Sequence, residues 1–426
     1  MRGAGIARQG GAGRGCQGPM LPAMKTPEAA LEEILGQVEP LGQVEELPVA
    51  FASGRILAQA PVSNVNVPPF RKAMMDGFAC RSADLERLPR GPEGVRLALA
   101  GESRAGAPYE GLLLPGQAIE IFTGAAVPEE LDQVVMVERS LRQGQQVALA
   151  VPARPGEHIQ PVADILAVGD QPIAAGTRLA PADLAVLAAL GAHPLRVFRA
   201  PKVGVLTTGD ELVPPWEQPG PGQIREGNTL YLAARLLDLG VELSRVGIVP
   251  DDPEILEQEF RTTLEQSDAL VTTGGVAMGK YDLVGQTFEK LGVRPLLHKV
   301  AVKPGKPIWF GMQGRKPILG LPGNPVSALL GLEAFVRPAL AKLSGARDFA
   351  PHFGRGVWRG PAVEPYDRQQ NLPCRLVYEE DGRLGLEPIP WKGSSDILSA
   401  ARAQALAVID AQAPCTPGQV LRFRPL

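Results

Sequence analysis

The middle of the chain alternates short β-branched runs with amphipathic segments, and this alternation constrains the fold more than any other feature. The spacing of apolar residues predicts strands at 203–207, 242–249 and 269–273, followed in turn by helices at 228–239, 253–266 and 283–291. Strands that alternate with helices form a parallel sheet covered on both faces. Ligands of such sheets bind beyond the carboxyl ends of the strands, so a site is expected there.

The flanking segments follow other patterns. From Thr26, the run TPEAALEEILGQVEPL predicts a helix, with Thr26 as its N-cap and Pro27 in its first turn. Residues 181–191 predict a second helix closed by a glycine. Residues 61–162 contain short extended pieces rich in Gly and Pro, which predict a small β-rich domain. After residue 346, further short apolar segments predict a terminal β domain.

Charge and cysteine usage exclude several classes of function. The chain has 43 Lys and Arg against 46 Asp and Glu, a net charge of −3, which leaves no basic footprint for nucleic acid. Its four cysteines are too dispersed for a disulfide framework or a zinc site, which suits a reducing compartment. No apolar run approaches the ~18 residues of a membrane span. The first 23 residues lack the apolar core of a signal peptide, so we expect a disordered tail or a start at Met20 or Met24.

Four loops follow the predicted strands, and each contains residues suited to phosphate chemistry. Their sequences are TTGDEL at 207–212, VPDDPE at 249–254, VTTGGVAMGKYD at 271–282 and GLPGNPVS at 320–327. A glycine turn lets backbone N–H groups approach phosphate closely, because no Cβ intrudes. Acidic side chains beside phosphate commonly bind Mg²⁺, which prefers oxygen ligands. Because the strands are predicted to be parallel, these loops are expected to converge on one rim of the sheet.

Simpler interpretations stay open for several of these residues. Asp252 precedes Pro253 and is a good N-cap, and Asp282 could equally cap the helix at 283–291. In the extended run HKVAVKPGKP, Lys299 and Lys303 share one face and Lys306 follows the turn, which predicts an anion-binding edge. The alternative is an edge strand whose lysines only face solvent.

Six motifs in order along the chain resemble the molybdopterin molybdenumtransferase family, and gephyrin's E domain is similar. They are MDGFA (75–79), IFTGAAVP (121–128), TTGDEL (207–212), GGVAMGKYD (274–282), KVAVKPGKP (299–307) and GLPGNPVSA (320–328). The resemblance covers roughly residues 26–426.

The resemblance implies a multidomain α/β and β fold. Its expected parts are a disordered tail at 1–23, an elongated discontinuous domain at 24–60 and 163–198, an inserted β-rich domain at 61–162, a molybdopterin-binding α/β domain at 199–345 and a C-terminal β-barrel-like domain at 346–426. It also implies a cytoplasmic homodimer whose active sites are shared between subunits. The molybdopterin adenylyltransferase is an expected partner.

The implied reaction inserts molybdate into the dithiolene of adenylylated molybdopterin, releases AMP and uses Mg²⁺. By motif match, the functional positions are Asp76, Thr123, Asp164, Glu211, Asp251, Asp282, Lys299 and Lys303, of which Glu211, Asp251 and Asp282 are the expected metal ligands. The expected pterin-binding positions are Thr208, Gly209, Gly274, Gly275, Gly279, Pro322, Gly323, Asn324 and Pro325. The molybdate pocket of plant relatives maps to Lys303, Lys306, Ser327, Arg375 and Ser394 or Ser395.

The chain departs from the family pattern at four positions: Arg71, Lys72, Ala163 and Ala277. The first two replace Asp and Asn, and we expect them either to steer a polyanionic ligand or simply to face solvent. Two other functions remain as alternatives at this point. One is the adenylyltransferase of the same pathway, which would consume ATP with free molybdopterin. The other is a non-catalytic, gephyrin-like scaffold.

Overall fold

The structure is a computed structural model that describes residues 24–275 and 283–426. The predictions made for Ala277, Gly279 and Asp282 therefore lie outside the described residues. The chain divides into two compact units. The first unit contains the residues up to 39 together with 201–340 and 349–426, and the second contains 40–200 and 341–348.

Helix α1 (Pro27–Gln37) opens the described chain, as the sequence predicts. The Thr26 hydroxyl accepts the Ala29 N–H at 3.3 Å, and Pro27 occupies the first turn, where its missing N–H costs nothing. Ala30 and Ile34, one helical turn apart, are fully buried. The N-cap, the proline and the apolar spacing thus all favour a helix in this segment.

The second unit is mostly β structure. Its strands are β1 (Val44–Leu47), β2 (Lys72–Ala73), β3 (Gly77–Cys80), β4 (Arg90–Gly91), β5 (Gly94–Ser103), β6 (Gln117–Ile121), β7 (Gln133–Met136), β8 (Ser140–Gln143), β9 (Gln146–Leu149), β10 (Ile159–Gln160) and β11 (Leu195–Phe198). Its helices are α2 (Ser82–Arg87) and α3 (Pro181–Ala189). One sheet has the order β7-β3-β6-β5-β9-β8, with β4 paired to β5, and β1 pairs with β11. The predicted β-rich block is therefore confirmed, and so is the helix at α3.

The first unit contains the predicted α/β alternation. Its strands are β12 (Lys202–Thr208), β13 (Leu212–Val213), β14 (Ile224–Arg225), β15 (Glu242–Val249), β16 (Ala269–Thr273), β17 (Arg294–His298), β18 (Val302–Lys303), β19 (Trp309–Gln313) and β20 (Lys316–Leu321). Its helices are α4 (Asn228–Asp238), α5 (Pro253–Gln266), α6 (Leu283–Lys290), α7 (Pro325–Gly331) and α8 (Arg337–Leu343, which crosses the unit boundary), with a π-helical turn at Leu332–Val336. The predicted strands and helices between 203 and 291 are confirmed to within one or two residues.

The main sheet of this unit has the order β15-β12-β16-β20-β19-β17. The first four strands are parallel, and β19 and β17 add an antiparallel edge. Beneath the sheet, Phe288 of α6 stacks between Phe260 of α5 and Trp309, with ring centroids 4.8 and 5.1 Å apart. This aromatic stack fixes α5 and α6 against the sheet, so the loops at its rim start from a rigid base.

The segment from 298 to 309 is predicted to be extended with a Pro-Gly turn, but the structure also breaks it earlier, at Lys299. Strand β17 ends at His298, Lys299 has a left-handed φ of 69°, and β18 is only two residues long. The backbone turns because the N–H groups of Lys299 and Val300 donate to the carbonyls of Ile308 and Lys306, both at 3.0 Å. The expected alternation of burial still holds, since Val300 and Val302 are buried and both lysines are partly exposed.

Residues after 349 form a closed barrel. Its strands are β21 (Gly354–Trp358), β22 (Gln369–Tyr378), β23 (Leu384–Pro388), β24 (Ala405–Ile409) and β25 (Val420–Pro425), with helix α9 (Ile397–Arg402) before β24. The pairings run β22-β23-β21-β25-β24 and return to β22. Strand β18 pairs with β22 from outside this ring. The barrel-like C-terminal domain is thus confirmed. Among the described residues, no helix is long and apolar enough to cross a membrane.

Candidate active site at the strand ends

The carboxyl ends of four parallel strands lie at one edge of the main sheet. Thr208 of β12 is in register with Val249 of β15, and Thr207 is in register with Thr273 of β16. Thr273 is in turn in register with Leu321 of β20. The four motif loops begin at these positions, so the predicted convergence on one rim is confirmed.

Side-chain hydroxyls tie this rim together. The Thr207 hydroxyl donates to the Thr273 carbonyl, and the Thr273 hydroxyl donates to the Pro322 carbonyl, both at 3.1 Å. The Gly274 N–H donates to the Leu321 carbonyl at 3.2 Å. These buried bonds lock the starts of three loops relative to one another, which is how a site is held in a fixed shape.

The glycine turn after β16 needs its glycines. Gly274 and Gly275 have φ values of 85° and 62°, where side chains are strained. A Cβ on Gly275 would stand 2.7 Å from the Thr208 hydroxyl oxygen, a clash. That hydroxyl is buried and faces the Asp251 carboxylate, whose pKa it lowers. The turn is therefore packed directly on Thr208, and a valine at 275 would disturb the turn itself as well as any ligand.

Three carboxylates gather beside this turn. The Asp251 N–H donates to Asp210 Oδ1 at 3.0 Å. Burial, together with the negative charges of Asp210 and Glu211, raises the pKa of Asp251. Carboxylates crowded in this way repel one another until a proton or a cation arrives.

The neighbouring Asp252 has a structural role, the capping of a helix. Its Oδ1 accepts the N–H groups of Glu254 and Ile255 at 2.9 and 3.0 Å, which caps α5. The capping interpretation of Asp252 is confirmed. Asp251, one residue earlier, makes no such cap and faces the other acids.

The chemistry of this acidic group fits a hard divalent cation. Glu211 and Asp251 offer carboxylate oxygens, the donors that Mg²⁺ prefers, and a cation would relieve their repulsion. Within residues 24–275 and 283–426, no three His, Cys, Asp or Glu side chains stand in a metal-binding arrangement. The third expected ligand, Asp282, lies outside the described residues.

The turn at 322–325 joins the rim to the start of α4 and to the C-terminal barrel. The Asn228 side-chain amide donates to the Gly323 carbonyl at 2.5 Å. The Asn324 amide donates to the Ser394 hydroxyl at 3.1 Å, and the Ser394 carbonyl accepts the Val326 N–H at 3.0 Å. Ser394 and the predicted turn residues are thus brought together, and Ser395 follows in the same loop.

The Lys303 ammonium packs against the face of an aromatic ring. Its Nζ lies 3.8 Å from the centroid of the Tyr366 ring, a cation–π contact. A Cβ on Gly305 would lie 3.6 Å from the Ser327 carbonyl, so the 303–306 turn packs against the first turn of α7. Lys303 and Ser327 therefore share one region, and Lys306 is exposed beside them.

Arg375 is not beside Lys303. In the β18–β22 pairing, Lys303 is opposite Gln370, and Arg375 lies about 16 Å further along the strand at the usual rise per residue. Its guanidinium pairs with Glu387, its direct neighbour on strand β23, at 3.1 Å. The arginine that does lie near Lys303 is Arg368, which donates to the Tyr366 hydroxyl at 2.8 Å.

Sequence reasoning did not single out Tyr366 and Arg368. The available signal was their i, i+2 spacing just before an apolar strand, which puts both on one side of an extended chain. That spacing becomes informative only once β18 is known to pair with β22.

The predicted residues of the second unit form a separate group. The Thr123 N–H and hydroxyl both donate to Asp76 Oδ1, at 2.6 and 2.7 Å, and these bonds lower the pKa of Asp76. Asp164 accepts a hydrogen bond from the Gln160 amide at 3.0 Å. Ala163, beside it, has a left-handed φ of 60°.

Arg71 does not simply face solvent, so that interpretation of the residue is wrong, and the steering interpretation stays a prediction. Its guanidinium donates to the carbonyls of Pro128, Glu129 and Leu131 at 3.3, 3.2 and 2.6 Å. These bonds fold the 128–131 loop back onto β2. Lys72 lies in β2 itself and is partly exposed.

Comparisons with known proteins agree along most of the chain. Three family models match: the MoeA N-terminal region (domain I and II) at residues 25–191, the probable molybdopterin binding domain at 204–342 and the MoeA C-terminal region (domain IV) at 363–426. The molybdopterin molybdenumtransferase of Haemophilus influenzae is 32% identical over 392 residues, which is 91% of this chain and 95% of that protein. Its counterpart in Synechococcus elongatus is 36% identical over 372 residues, 84% of this chain and 89% of that protein.

A solved structure agrees as well. The molybdopterin biosynthesis MoeA protein from Pyrococcus horikoshii OT3 superimposes with a TM-score of 0.80 at 26% identity, covering 95% of this chain and 100% of that one. The fold and the strand-end site thus define a multidomain transferase of molybdenum-cofactor biosynthesis. The chain belongs to the molybdopterin molybdenumtransferase family, and the sequence resemblance is confirmed.

Proposed function

We propose that this chain inserts molybdate into the dithiolene of adenylylated molybdopterin and releases AMP, with Mg²⁺ bound at the strand-end rim. The observation that carries the proposal is the meeting of a glycine turn with Asp210, Glu211 and Asp251 at the carboxyl ends of parallel strands. A phosphate-bearing ligand needs both close backbone N–H groups and a cation-binding set of acids.

The pterin substrate would lie along the glycine-lined edge of this rim. Its proposed contacts are Thr208, Gly209, Gly274, Gly275, Gly279, Pro322, Gly323, Asn324 and Pro325. The position of Thr208 supports this placement, because its buried hydroxyl lies between the glycine turn and Asp251. The hydrogen-bonded threonines behind the turn would hold these groups in place before substrate arrives.

Glu211, Asp251 and Asp282 are the residues that would hold the metal. Bound there, Mg²⁺ would neutralise charge that develops on the phosphate as the bond to AMP breaks. Burial and the charges of Asp210 and Glu211 raise the pKa of Asp251, and a bound cation would offset that repulsion. Asp210, which accepts the Asp251 N–H, would keep the Asp251 backbone in position.

Molybdate would bind at the cationic side of the unit. Lys303, Lys306 and Ser327 would form this pocket, which is supported by the packing of the 303–306 turn against the Ser327 carbonyl, and Ser394 or Ser395 would contribute from the loop that contacts Asn324. Ammonium and hydroxyl groups suit a tetrahedral oxyanion through charge-assisted hydrogen bonds. Arg375 would not join them, because it lies about 16 Å along β22 from the residue opposite Lys303, whereas Lys299 is a further cation on the same segment as Lys303.

We also propose the assembly and domain limits implied by the family. The chain would be a cytoplasmic homodimer that receives its substrate from the adenylyltransferase, with domains at 24–60 plus 163–198, 61–162, 199–345 and 346–426. Asp76, Thr123 and Asp164 of one subunit would complete the rim of the other. The hydrogen-bonded Asp76–Thr123 pair supports a prepared, ionised carboxylate. Mixing inactive Asp76→Ala and Asp251→Ala subunits should restore activity through one intact site; absence of complementation would remove the shared site.

The alternative functions are less well supported. The relatives match the flanking domains as well as the α/β domain, whereas an adenylyltransferase would need the α/β domain alone. The acids at 76, 164, 211 and 251 are retained, which speaks against a purely structural role.

The direct test is AMP release from adenylylated molybdopterin without ATP. We expect release to require molybdate and Mg²⁺, with sulfate as the matched oxyanion control. Consumption of ATP with free molybdopterin would instead favour the adenylyltransferase.

A further inference from the structure

Tyr366 lies between two cationic side chains. The Lys303 Nζ is 3.8 Å from its ring centroid, and the Arg368 guanidinium carbon is 5.1 Å from the same point. Arg368 also donates to the Tyr366 hydroxyl at 2.8 Å. One ring thus contacts both cations, which would otherwise repel each other.

The position of this ring is fixed by backbone pairing. The Gln412 N–H donates to the Tyr366 carbonyl at 2.8 Å, which holds the residue to the barrel. Strand β18 runs parallel to β22, with Val302 opposite Gln369 and Lys303 opposite Gln370. Arg368 reaches back to the Val302 carbonyl at 3.4 Å. The lysine thus lies in β18, and the ring lies just before β22, the strand that is hydrogen-bonded to β18.

The charges around Lys303 leave it available for an anion. Lys303 forms no ion pair with any residue in the described parts of the chain, and Asp367, which follows Tyr366 in sequence, pairs with Arg368 at 3.3 Å. The Asp367 side chain is 64% exposed, so solvent screens that pair. Lysine has a long flexible stem, and an aromatic face is one of the few partners that can hold its ammonium without neutralising it.

We propose that Tyr366 is a positioning residue for oxyanion binding: its ring holds the Lys303 ammonium in place, and Arg368 fixes the ring through the tyrosine hydroxyl. The proposal rests on the proposed function, because it takes Lys303 to be a molybdate ligand. Tyr366 itself touches neither the pterin nor the reacting atoms. Its effect should appear in molybdate dependence and not in pterin affinity.

The first experiment compares Tyr366→Leu and Tyr366→Phe with the parent protein. Losing the ring should raise the half-saturating molybdate concentration about three- to tenfold, the worth of a partly exposed cation–π contact. Phenylalanine keeps the ring face and loses only the bond from Arg368, so its shift should be smaller. Affinity for adenylylated molybdopterin, measured without molybdate, should stay unchanged in both variants.

A double-mutant cycle with Lys303→Ala separates this inference from the proposed function. If Tyr366 acts through Lys303, then Tyr366→Leu should add no further shift in the Lys303→Ala background. A molybdate shift in Lys303→Ala with none in Tyr366→Leu would overturn the role of Tyr366 and leave the function standing. No shift in Lys303→Ala would overturn both the lysine assignment and the inference.

A second series guards against a folding effect of the leucine. Phenylalanines of increasing fluorination at position 366 keep nearly the same size and progressively weaken the negative face of the ring. The half-saturating molybdate concentration should rise steadily along the series. A flat series at unchanged thermal stability would contradict a cation–π role.

Discussion

The strand-end rim and the 303–306 turn are both loops of the first unit, yet their electrostatics are opposite. At the rim, burial and two neighbouring carboxylates raise the pKa of Asp251. At the turn, Lys303 rests on a neutral ring instead of on an acid. The first arrangement attracts a cation, and the second attracts an anion. Under the proposed function, the unit would therefore bind its two charged reactants, a metal-bound phosphate and an oxyanion, in separate places.

Removing the Asp251 carboxylate should have the largest effect on the rate of AMP release, because it removes an expected metal ligand from the acidic rim. In Asp251→Asn, the maximal rate of AMP release should fall by about 100-fold or more, since metal-assisted charge stabilisation is worth several kcal/mol. The measurement is AMP release at saturating molybdate over a range of Mg²⁺ concentrations. Asp252→Asn is the matched control, because asparagine keeps the α5 cap. Equal losses in the two variants would point to local damage and not to charge.

Lys303→Ala tests the cationic side and should have the next largest effect. Losing a charge-assisted hydrogen bond costs about 1.5–3 kcal/mol, which is roughly a tenfold to hundredfold rise in half-saturating molybdate. Pterin affinity should change much less. Lys316→Ala is a control within the same unit, since that lysine donates to the Leu264 carbonyl away from the strand ends. A normal molybdate saturation curve in Lys303→Ala would remove the assignment.

The pH dependence of the protein's stability tests the electrostatic repulsion among the carboxylates of the rim. The pKa of Asp251 is higher in the folded chain than its ordinary value of 3.8. The unfolded chain therefore loses this proton first, and the contribution of Asp251 to stability falls as pH rises from about that value through the raised folded pKa. Without Mg²⁺, Asp251→Asn should unfold at a higher temperature than the parent above this window and not below it. A parallel loss of stability at all pH values would contradict the charge argument.

Arg71 gives the smallest expected effect on function. Its guanidinium is engaged by three carbonyls, so Arg71→Met should lower the unfolding free energy by about 1–3 kcal/mol. Ligand association and its salt dependence should stay within twofold of the parent values. Lys72→Met, which removes a neighbouring charge without these bonds, is the matched control. A strong drop in association rate in Arg71→Met alone would support the steering interpretation.

The two regions also differ in how far the sequence predicts them. The acids of the rim follow their strands directly, so a local pattern of strand, loop and helix was enough to place Asp210, Glu211 and Asp251 together. The capping of α5 by Asp252 is local in the same way. The fold of the α/β domain was predictable for this reason, since apolar periodicity marks each strand and helix separately.

The cationic region depends on contacts between distant parts of the chain. Lys303 meets Tyr366 only because β18 adds to β22 outside the barrel, a pairing that no local pattern indicates. The left-handed φ of Lys299 interrupts the extended run that alternation predicts. The contacts of Arg71 could not be predicted, because its partners are backbone carbonyls near residue 130. Every residue has a backbone carbonyl, so the sequence does not indicate which ones an arginine will bind.

The most direct test of this division is the rate of AMP release as a function of molybdate concentration in Asp251→Asn and Lys303→Ala, measured side by side at saturating adenylylated molybdopterin and Mg²⁺. We predict that Asp251→Asn lowers the maximal rate and leaves the half-saturating molybdate concentration within twofold of the parent value. Lys303→Ala should instead shift half-saturation tenfold or more and approach the parent maximal rate at high molybdate. If both variants lowered the maximal rate with unchanged half-saturation, the two regions would not bind different reactants, and the account would be contradicted.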